Sequence, residues 1–297
     1  MDDTPSIPRG LAWMLGACLA FACMALCVAG VHRVDPTANT FAVSAVRAVV
    51  NLIVLLVMAR GDARTLIGDA RPALWTRGVL GAMALLTYFA ALSSLGAGEA
   101  AFLNQTSAVW VALLAPRLVG EPTKPIVWVA VLGSMIGMAL LAHPRADVHD
   151  ASARLIGLSS GVFAAGAYLS IRRAGSSNSS TVIVFWFTWI ATVFATVGAV
   201  VMQVTWPQTP SGWLLSCGSG VFATIGQLMM TQSYRIAPLA PMSAATAAGP
   251  LLTTILAALV LGQVPDTSGF FGMAVLLISA VVLPLINVRA SAGRPPP

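Results

Sequence analysis

The stretch LVGEP at residues 118–122 closes one apolar segment, and VLGQVP at residues 260–265 closes another, 142 residues later. At the same offset, Gly78 aligns with Gly220. Weak self-similarity at a fixed offset indicates a duplicated unit. Each unit holds five predicted membrane spans, and a unit with an odd number of spans must insert its second copy upside down. The chain is therefore predicted to contain inverted repeats, which are typical of transporters.

The amino-acid composition indicates a membrane protein. The chain is 58% hydrophobic and 9% charged, whereas soluble domains carry roughly 25% charged residues. Its apolar runs lie close to the ~20 residues that a helix needs to cross the hydrocarbon core. These runs are uninterrupted rather than alternating, which favours helices over the strands of a barrel. The predicted spans are 10–30, 39–59, 76–95, 99–117, 125–142, 154–173, 181–203, 211–233, 240–261 and 268–287.

The predicted fold class is thus an all-α polytopic membrane protein, with ten transmembrane helices arranged as two inverted five-helix repeats. The first repeat is predicted at 10–142 and the second at 154–287, on either side of a polar loop. Small residues at helix-packing spacing, such as Gly133 with Gly137 and Gly157 with Gly161, indicate close helix contacts within one protomer or across a homodimer. Pro250 is expected to kink the ninth span.

The distribution of basic residues predicts the orientation. With a cytoplasmic N-terminus, 12 of the 16 Lys and Arg residues fall on the inner side, with Arg77 at the inner end of the third span; 3 fall on the outer side, and Arg47 lies inside a span. This bias favours a cytoplasmic N-terminus and C-terminus in the inner membrane. The net charge of +6 then reflects basic loops facing an anionic leaflet. The expected binding partner of the basic residues is therefore a lipid bilayer and not a nucleic acid.

The sequence lacks the motifs of metal binding and of ATP hydrolysis. The four cysteines lie in apolar spans without metal-ligand spacing, so they are predicted to be packing residues, with no metal site and no cofactor. A Walker motif is missing, which argues against ATP-driven transport within this chain.

Arg47 is the strongest functional clue, because it lies inside the second span. A charge within the membrane is costly and should face the bundle interior or a wet cavity. Asn51 lies one turn further on the same face. Arg47 is therefore predicted to receive an anionic group such as a carboxylate. Alternatively, it is a structural arginine that is capped by carbonyl groups or that snorkels outward to the membrane surface.

The fourth span begins with the acid Glu99. A carboxylate in a first helical turn interacts favourably with the helix dipole, and a role as a proton carrier is the alternative. Gln105 and Trp110 follow on the same span, and they are predicted to line the outward half of a cavity.

The eighth span carries a polar stripe, since Gln227, Thr231 and Tyr234 fall at i, i+4 and i+7. A polar stripe in lipid needs partners, which are either another helix or a substrate. Tyr88 and Tyr168 are candidate counterparts on the third and sixth spans.

One motif suggests an enzyme. Residues 157–161, GLSSG, fit the G-x-S-x-G pattern of serine hydrolases, with Ser159 as the nucleophile. That pattern requires a turn between a strand and a helix, whereas here it opens a membrane span. An intramembrane hydrolase is therefore kept only as an alternative.

These residues resemble the drug/metabolite transporter superfamily, specifically proteins with two EamA-type repeats of five helices. The resemblance rests on Gly120-Glu121 at the end of span 4, on the glycine-rich span 5, on Arg47, and on GQLMMTQSY at residues 226–234. Two positions depart from the family pattern: Gln263 replaces an expected acid, and Ser233 stands where alanine is usual.

The resemblance implies a ten-helix inner-membrane carrier, typically an exporter of metabolites, that works by alternating access. Span 1 lacks the acid with which small multidrug carriers bind organic cations, so an exporter of such cations is a weaker alternative. Nucleotide sugars would need several buried cations, and only Arg47 is predicted to be one. An amino acid, or an amino-acid-derived zwitterion or carboxylate, is the predicted cargo. Its identity, the transport direction and the coupling ion are left open.

Overall fold

The computed structural model describes residues 7–143 and 151–282, which fold into helices joined by short loops. Helices α1 to α6 form the first half of the chain. They span Ile7–Val34, Thr40–Met58, Pro72–Leu95, Ala97–Gln105, Ser107–Leu118 and Pro125–Ala142. A single 3₁₀ turn, Ala63–Leu66, lies in the loop before α3.

Helices α7 to α12 form the second half. They span Ala151–Ala174, Ser180–Val201, Pro210–Ile236, Leu239–Ala245, Ala248–Leu261 and Thr267–Leu277. A π-helical turn, Ile278–Val282, continues α12. Eight helices are long and apolar enough to cross a membrane when Leu239–Leu261 is counted as one. The broken pair α4–α5 and the shorter α12 complete the ten predicted spans, which confirms the predicted fold class.

The two halves are related by an inverted symmetry that is visible in the helix contacts. Helix α1 packs against α9, and its counterpart in the second half, α7, packs against α3. The pairs α2 with α8 and α6 with α12 each join equivalent helices of the two halves. Below, the near face is the side on which α1 begins, and the far face is the side on which α1 ends.

Two of the predicted spans are interrupted near their middle. Span 4 breaks at Thr106, between α4 and α5, and span 9 breaks after Thr246, between α10 and α11. Each of these threonines donates its hydroxyl to the carbonyl three residues earlier, at 2.6 Å. Pro250 lies in the first turn of α11, where its missing N–H costs little, so the interruption precedes it. A kink is likewise predicted at Pro284, late in the tenth span, and this residue lies outside the described residues.

The predicted glycine pairs lie at contacts within the chain. A Cβ added at Gly137 would lie 3.0 Å from the carbonyl oxygen of Gly272, and one at Gly161 would lie 3.1 Å from that of Leu103. Backbones that approach this closely have room only for glycine. The glycine spacing is therefore explained by packing within one protomer.

A clasp of charged and backbone groups joins the two halves at the near face. The Nε of Arg172 lies 2.6 Å from one carboxylate oxygen of Glu121. The backbone N–H of Leu239, at the start of α10, donates to the other oxygen at 2.7 Å. Arg172 also donates to the carbonyl of Arg235 at 2.5 Å. Glu121 thereby joins the loop after α5 to α7 and α10, which ties together the two halves.

Candidate functional site

A cavity of about 700 Å³ lies between the two halves of the bundle. Its walls come from α1, α2, α3, α8 and α9, together with the first residue of α4, so both halves contribute. It reaches the far face, because His32 near the end of α1, Thr40 at the start of α2 and Ala97 at the start of α4 all line it. Besides Arg47 and Tyr88, the polar lining consists of His32, Thr40, Ser44, Asn51, Thr188 and Gln227.

Arg47 lies two turns into α2 and contributes a cation to this cavity. Its Nη1 is 3.4 Å from the sulfur of Met24, and its guanidinium carbon is 5.5 Å from the ring centroid of Phe89. A thioether is a weak acceptor, and an arginine carries five N–H donors. These contacts hold the side chain in place and leave it with capacity to bind an anionic group.

The amide of Asn51 belongs to the contact between α2 and α8. Its oxygen accepts a hydrogen bond from the hydroxyl of Thr188 at 3.4 Å, and Thr192 donates to the carbonyl of Ala48 at 3.0 Å. These bonds fix the face of α2 that carries Arg47. Asn51 thus combines a place in the cavity wall with a role in positioning α2.

A second cavity, of about 180 Å³, adjoins the first and is lined by another cation, Arg77. Arg77 lies on α3 and is only 2% exposed. Its Nη2 donates to the side-chain oxygen of Gln227 at 3.1 Å, and its guanidinium carbon lies 4.4 Å from the ring centroid of Phe187. Gln227 lines both cavities and so connects them.

The prediction that Arg77 belongs with the basic residues at the membrane surface is therefore wrong, because the side chain is buried. Helix α3 begins at Pro72 instead of residue 76, which places Arg77 more than one turn inside the helix. The signal was present in the sequence, because proline is favoured at the first position of a helix. The cavity lining consequently carries two guanidinium groups instead of one.

Five of the nine predicted binding residues line one of the two cavities. Tyr168 lines the smaller cavity, Tyr88 and Gln227 line both, and Arg47 and Asn51 line the larger.

The other four predicted binding residues lie elsewhere. Gln105 donates to the hydroxyl of Thr246 at 3.4 Å and so joins the two helix breaks. Trp110 is 37% exposed on the outside of the bundle. Thr231 and Tyr234 are fully buried, and Tyr234 stacks on Tyr168 with ring centroids 4.8 Å apart. Of the predicted polar stripe on α9, only Gln227 reaches a cavity.

Glu99 forms an ion pair at the far face. Its carboxylate lies 2.7 Å from the Nε of Arg154, which joins α4 to α7. It does not line either cavity. The geometry therefore favours a structural role over proton transfer for this acid.

Ser159 lacks the setting of a nucleophile. It lies within α7 rather than at a turn between a strand and a helix, and its hydroxyl donates to the carbonyl of Ile156 at 2.7 Å. The serine is thus occupied by its own helix.

Comparison with known proteins accounts for this architecture. The sequence matches the EamA-like transporter family over residues 8–142 and again over residues 151–284. The chain belongs to the EamA-like transporter family. It is accordingly a multi-pass secondary transporter of a small molecule and not an enzyme, so the hydrolase alternative is wrong.

Individual relatives within this family are distant. The chain is 25% identical to the pseudopaline exporter of Pseudomonas aeruginosa strain UCBPP-PA14 over 80% of its own length and 83% of that protein. It is 26% identical to the riboflavin transporter of Vibrio cholerae over 52% of each chain. One solved crystal structure superimposes with a TM-score of 0.81 at 19% identity, and covers 96% of this chain and 99% of the other. That likeness supports the fold.

Proposed function

We propose that this EamA-family carrier exports a small polar metabolite that bears a carboxylate, such as an amino acid or an amino-acid derivative. The observation that carries the proposal is Arg47, whose guanidinium lies in a cavity between the halves and has a thioether as its hydrogen-bond acceptor. A guanidinium binds a carboxylate with two parallel hydrogen bonds. The likeness to a pseudopaline exporter supports export as the direction.

In the proposed orientation the protein lies in the inner membrane with both termini in the cytoplasm, as the distribution of basic residues favours. The near face is then cytoplasmic, and the far face, where the large cavity opens, is outward. With the near-face clasp closed, the chain is in an outward-facing state. In alternating access, the opposite state would open the near face to load cargo.

The lining also argues against the alternative of an organic-cation exporter. Arg47 and Arg77 both line the cavities, and the described lining residues include no aspartate or glutamate. Like charges repel strongly in a medium of low dielectric constant, so a lipophilic cation is a poor fit here.

The proposal predicts that Arg47→Ala lowers export about tenfold or more, because one charge-assisted pair contributes well over 1 kcal/mol. Cells that lack the gene would be complemented with wild type or variant, and metabolites inside and outside the cells would be compared. Arg64→Ala is the matched control, since Arg64 is an exposed arginine in a near-face loop. Gln227→Ala is expected to impair export as well. Normal export by both Arg47→Ala and Gln227→Ala, at equal membrane abundance, would rule out this site.

A further inference from the structure

The two cavities contain more positive charge than a single carboxylate would neutralise. Arg47 lines the larger one and Arg77 lines the smaller one, without a carboxylate side chain among the described lining residues. An isolated charge in the membrane interior is costly and is usually paired. The excess of positive charge points to a ligand that carries more than one negative charge.

Arg77 has too few partners for a side chain that is 2% exposed. Its described hydrogen bond goes to the neutral amide of Gln227, and its Nε has no hydrogen-bond partner in the described part of the chain. A buried cation without an anion loses its hydration and gains little in return. An anionic group in the smaller cavity would supply the missing acceptor.

Gly81 makes this placement of Arg77 possible. It lies one turn further along α3 and also lines the smaller cavity. A Cβ at this position would lie 2.2 Å from the Nη1 of Arg77 and 2.6 Å from the ring of Phe187. Even an alanine would therefore displace the guanidinium, so the helix has room for Arg77 in this position only because residue 81 is glycine.

We propose that the transported ligand carries two separated carboxylates, one bound by Arg47 and the other by Arg77. This inference rests on the carrier function proposed above and specifies its cargo. Tyr88 and Gln227, which line both cavities, would contact the polar middle of the ligand, and Phe21 and Leu85, which also line both, would pack against its carbon chain. The planar fork of arginine suits a carboxylate at each end.

The test uses the purified full-length protein and measures the shift in its thermal unfolding with ligand concentration. The probes are linear dicarboxylic acids from succinate to suberate, together with the monomethyl ester of each. The ester removes one charge and keeps the carbon chain. We expect the best diacid to bind about tenfold or more tightly than its half-ester, since one charge-assisted contact is lost.

Variants assign the second carboxylate to Arg77. Arg77→Gln is expected to bind the diacid no better than the half-ester, whereas Arg64→Gln, its exposed control, keeps the preference. Gly81→Ala retains the charge of Arg77 but displaces it, so it should also lose the preference. Gly198→Ala is the control for this change, because a Cβ there would meet nothing within 4 Å.

Equal affinity of the wild-type protein for diacid and half-ester would overturn the two-carboxylate proposal and leave the carrier function standing. A preference that persists in Arg77→Gln would overturn it too. Binding of neither probe class, together with normal export by both Arg47→Ala and Gln227→Ala, would overturn the proposed function itself. If Arg77→Gln fails to fold, the wild-type comparison and Gly81→Ala still decide the question.

Discussion

Asp35, in the turn between α1 and α2, holds loop segments together at the far face. One carboxylate oxygen accepts the backbone N–H groups of Gln208 at 2.5 Å and Thr209 at 3.1 Å, and the other accepts the hydroxyl of Thr37 at 2.8 Å. These donors favour the ionised form, so the Gln208 N–H first and the Thr37 hydroxyl next lower the pKa of Asp35. The carboxylate thus ties the loop before α9 to the first two helices.

The lowered pKa predicts how stability depends on pH. In the unfolded chain the pKa of an aspartate is about 3.9. The stabilisation from Asp35 is complete above that pH, and it is lost as the pH falls through the lower pKa of the folded state. Asp35→Asn should therefore unfold at a lower temperature than wild type at pH 7, and the gap should narrow below about pH 4. The unfolding temperatures of wild type and Asp35→Asn would be measured in detergent at each pH. A gap that is the same at pH 7 and pH 3 would show that the carboxylate is not the anchor.

Individual site residues differed in how far the sequence could predict them. Arg47 stands in the middle of an apolar run, so its burial is visible from the sequence. Arg77 stands at the edge of such a run, and only the start of α3 at Pro72 and the packing of Gln227 from α9 bury it. Trp110 was predicted at the cavity but faces outward, because hydropathy does not show which side of an apolar helix meets its neighbours.

At the scale of elements, close contact between α6 and α12 depends on glycine. A Cβ at Gly272 would lie 2.7 Å from the carbonyl oxygen of Gly137 and 2.9 Å from the backbone nitrogen of Leu141. Backbone atoms cannot move aside as a side chain can, so the two helices would have to separate.

Gly272→Ala is accordingly expected to destabilise the protein by about 1–3 kcal/mol, the usual cost of overpacking. Gly198→Ala, at an open position in α8, should have the opposite sign, because alanine stabilises a helix by roughly 0.5–1 kcal/mol relative to glycine. Unfolding by a denaturing detergent would measure both changes. An unchanged midpoint for Gly272→Ala would contradict the packing described for these helices.

Helix interruptions show where prediction from the sequence stops. Pro250 indicated a disturbance in the ninth span, and the break lies just before it. The fourth span has no proline near Thr106, and its sequence favours one continuous helix over 99–117. Its break coincides with the approach of Gly161 from α7, where a Cβ would lie 2.2 Å from the Thr106 hydroxyl. A contact between distant segments leaves no local signal in the sequence.

At the scale of the whole molecule, the two repeats differ at the near-face clasp. Glu121 forms an ion pair with Arg172 and accepts a hydrogen bond from the N–H of Leu239, whereas the equivalent position in the second repeat is the exposed Gln263. The clasp therefore stabilises the near face, and the second repeat lacks the carboxylate that an equivalent clasp at the far face would need.

Glu121→Ala is expected to loosen that clasp, because the N–H of Leu239 would lose its acceptor and the guanidinium of Arg172 would lose its ion-pair partner. Amide hydrogen exchange should then rise in α10, Leu239–Ala245, while the middle of α9 stays protected. Gln263→Ala is the control and should leave exchange unchanged. Unaltered exchange in α10 of Glu121→Ala would show that the near face is closed by packing alone.

The two arginines also have an electrical consequence. Moving one elementary charge across a membrane is worth about 2.3 kcal/mol per 100 mV. A bound dianion would cancel the charges of Arg47 and Arg77, so the loaded carrier would reorient with little net charge in the field. The empty carrier would return with both cations uncompensated. Membrane voltage would then control the return step, and the energetic state of the cell would set the rate of turnover.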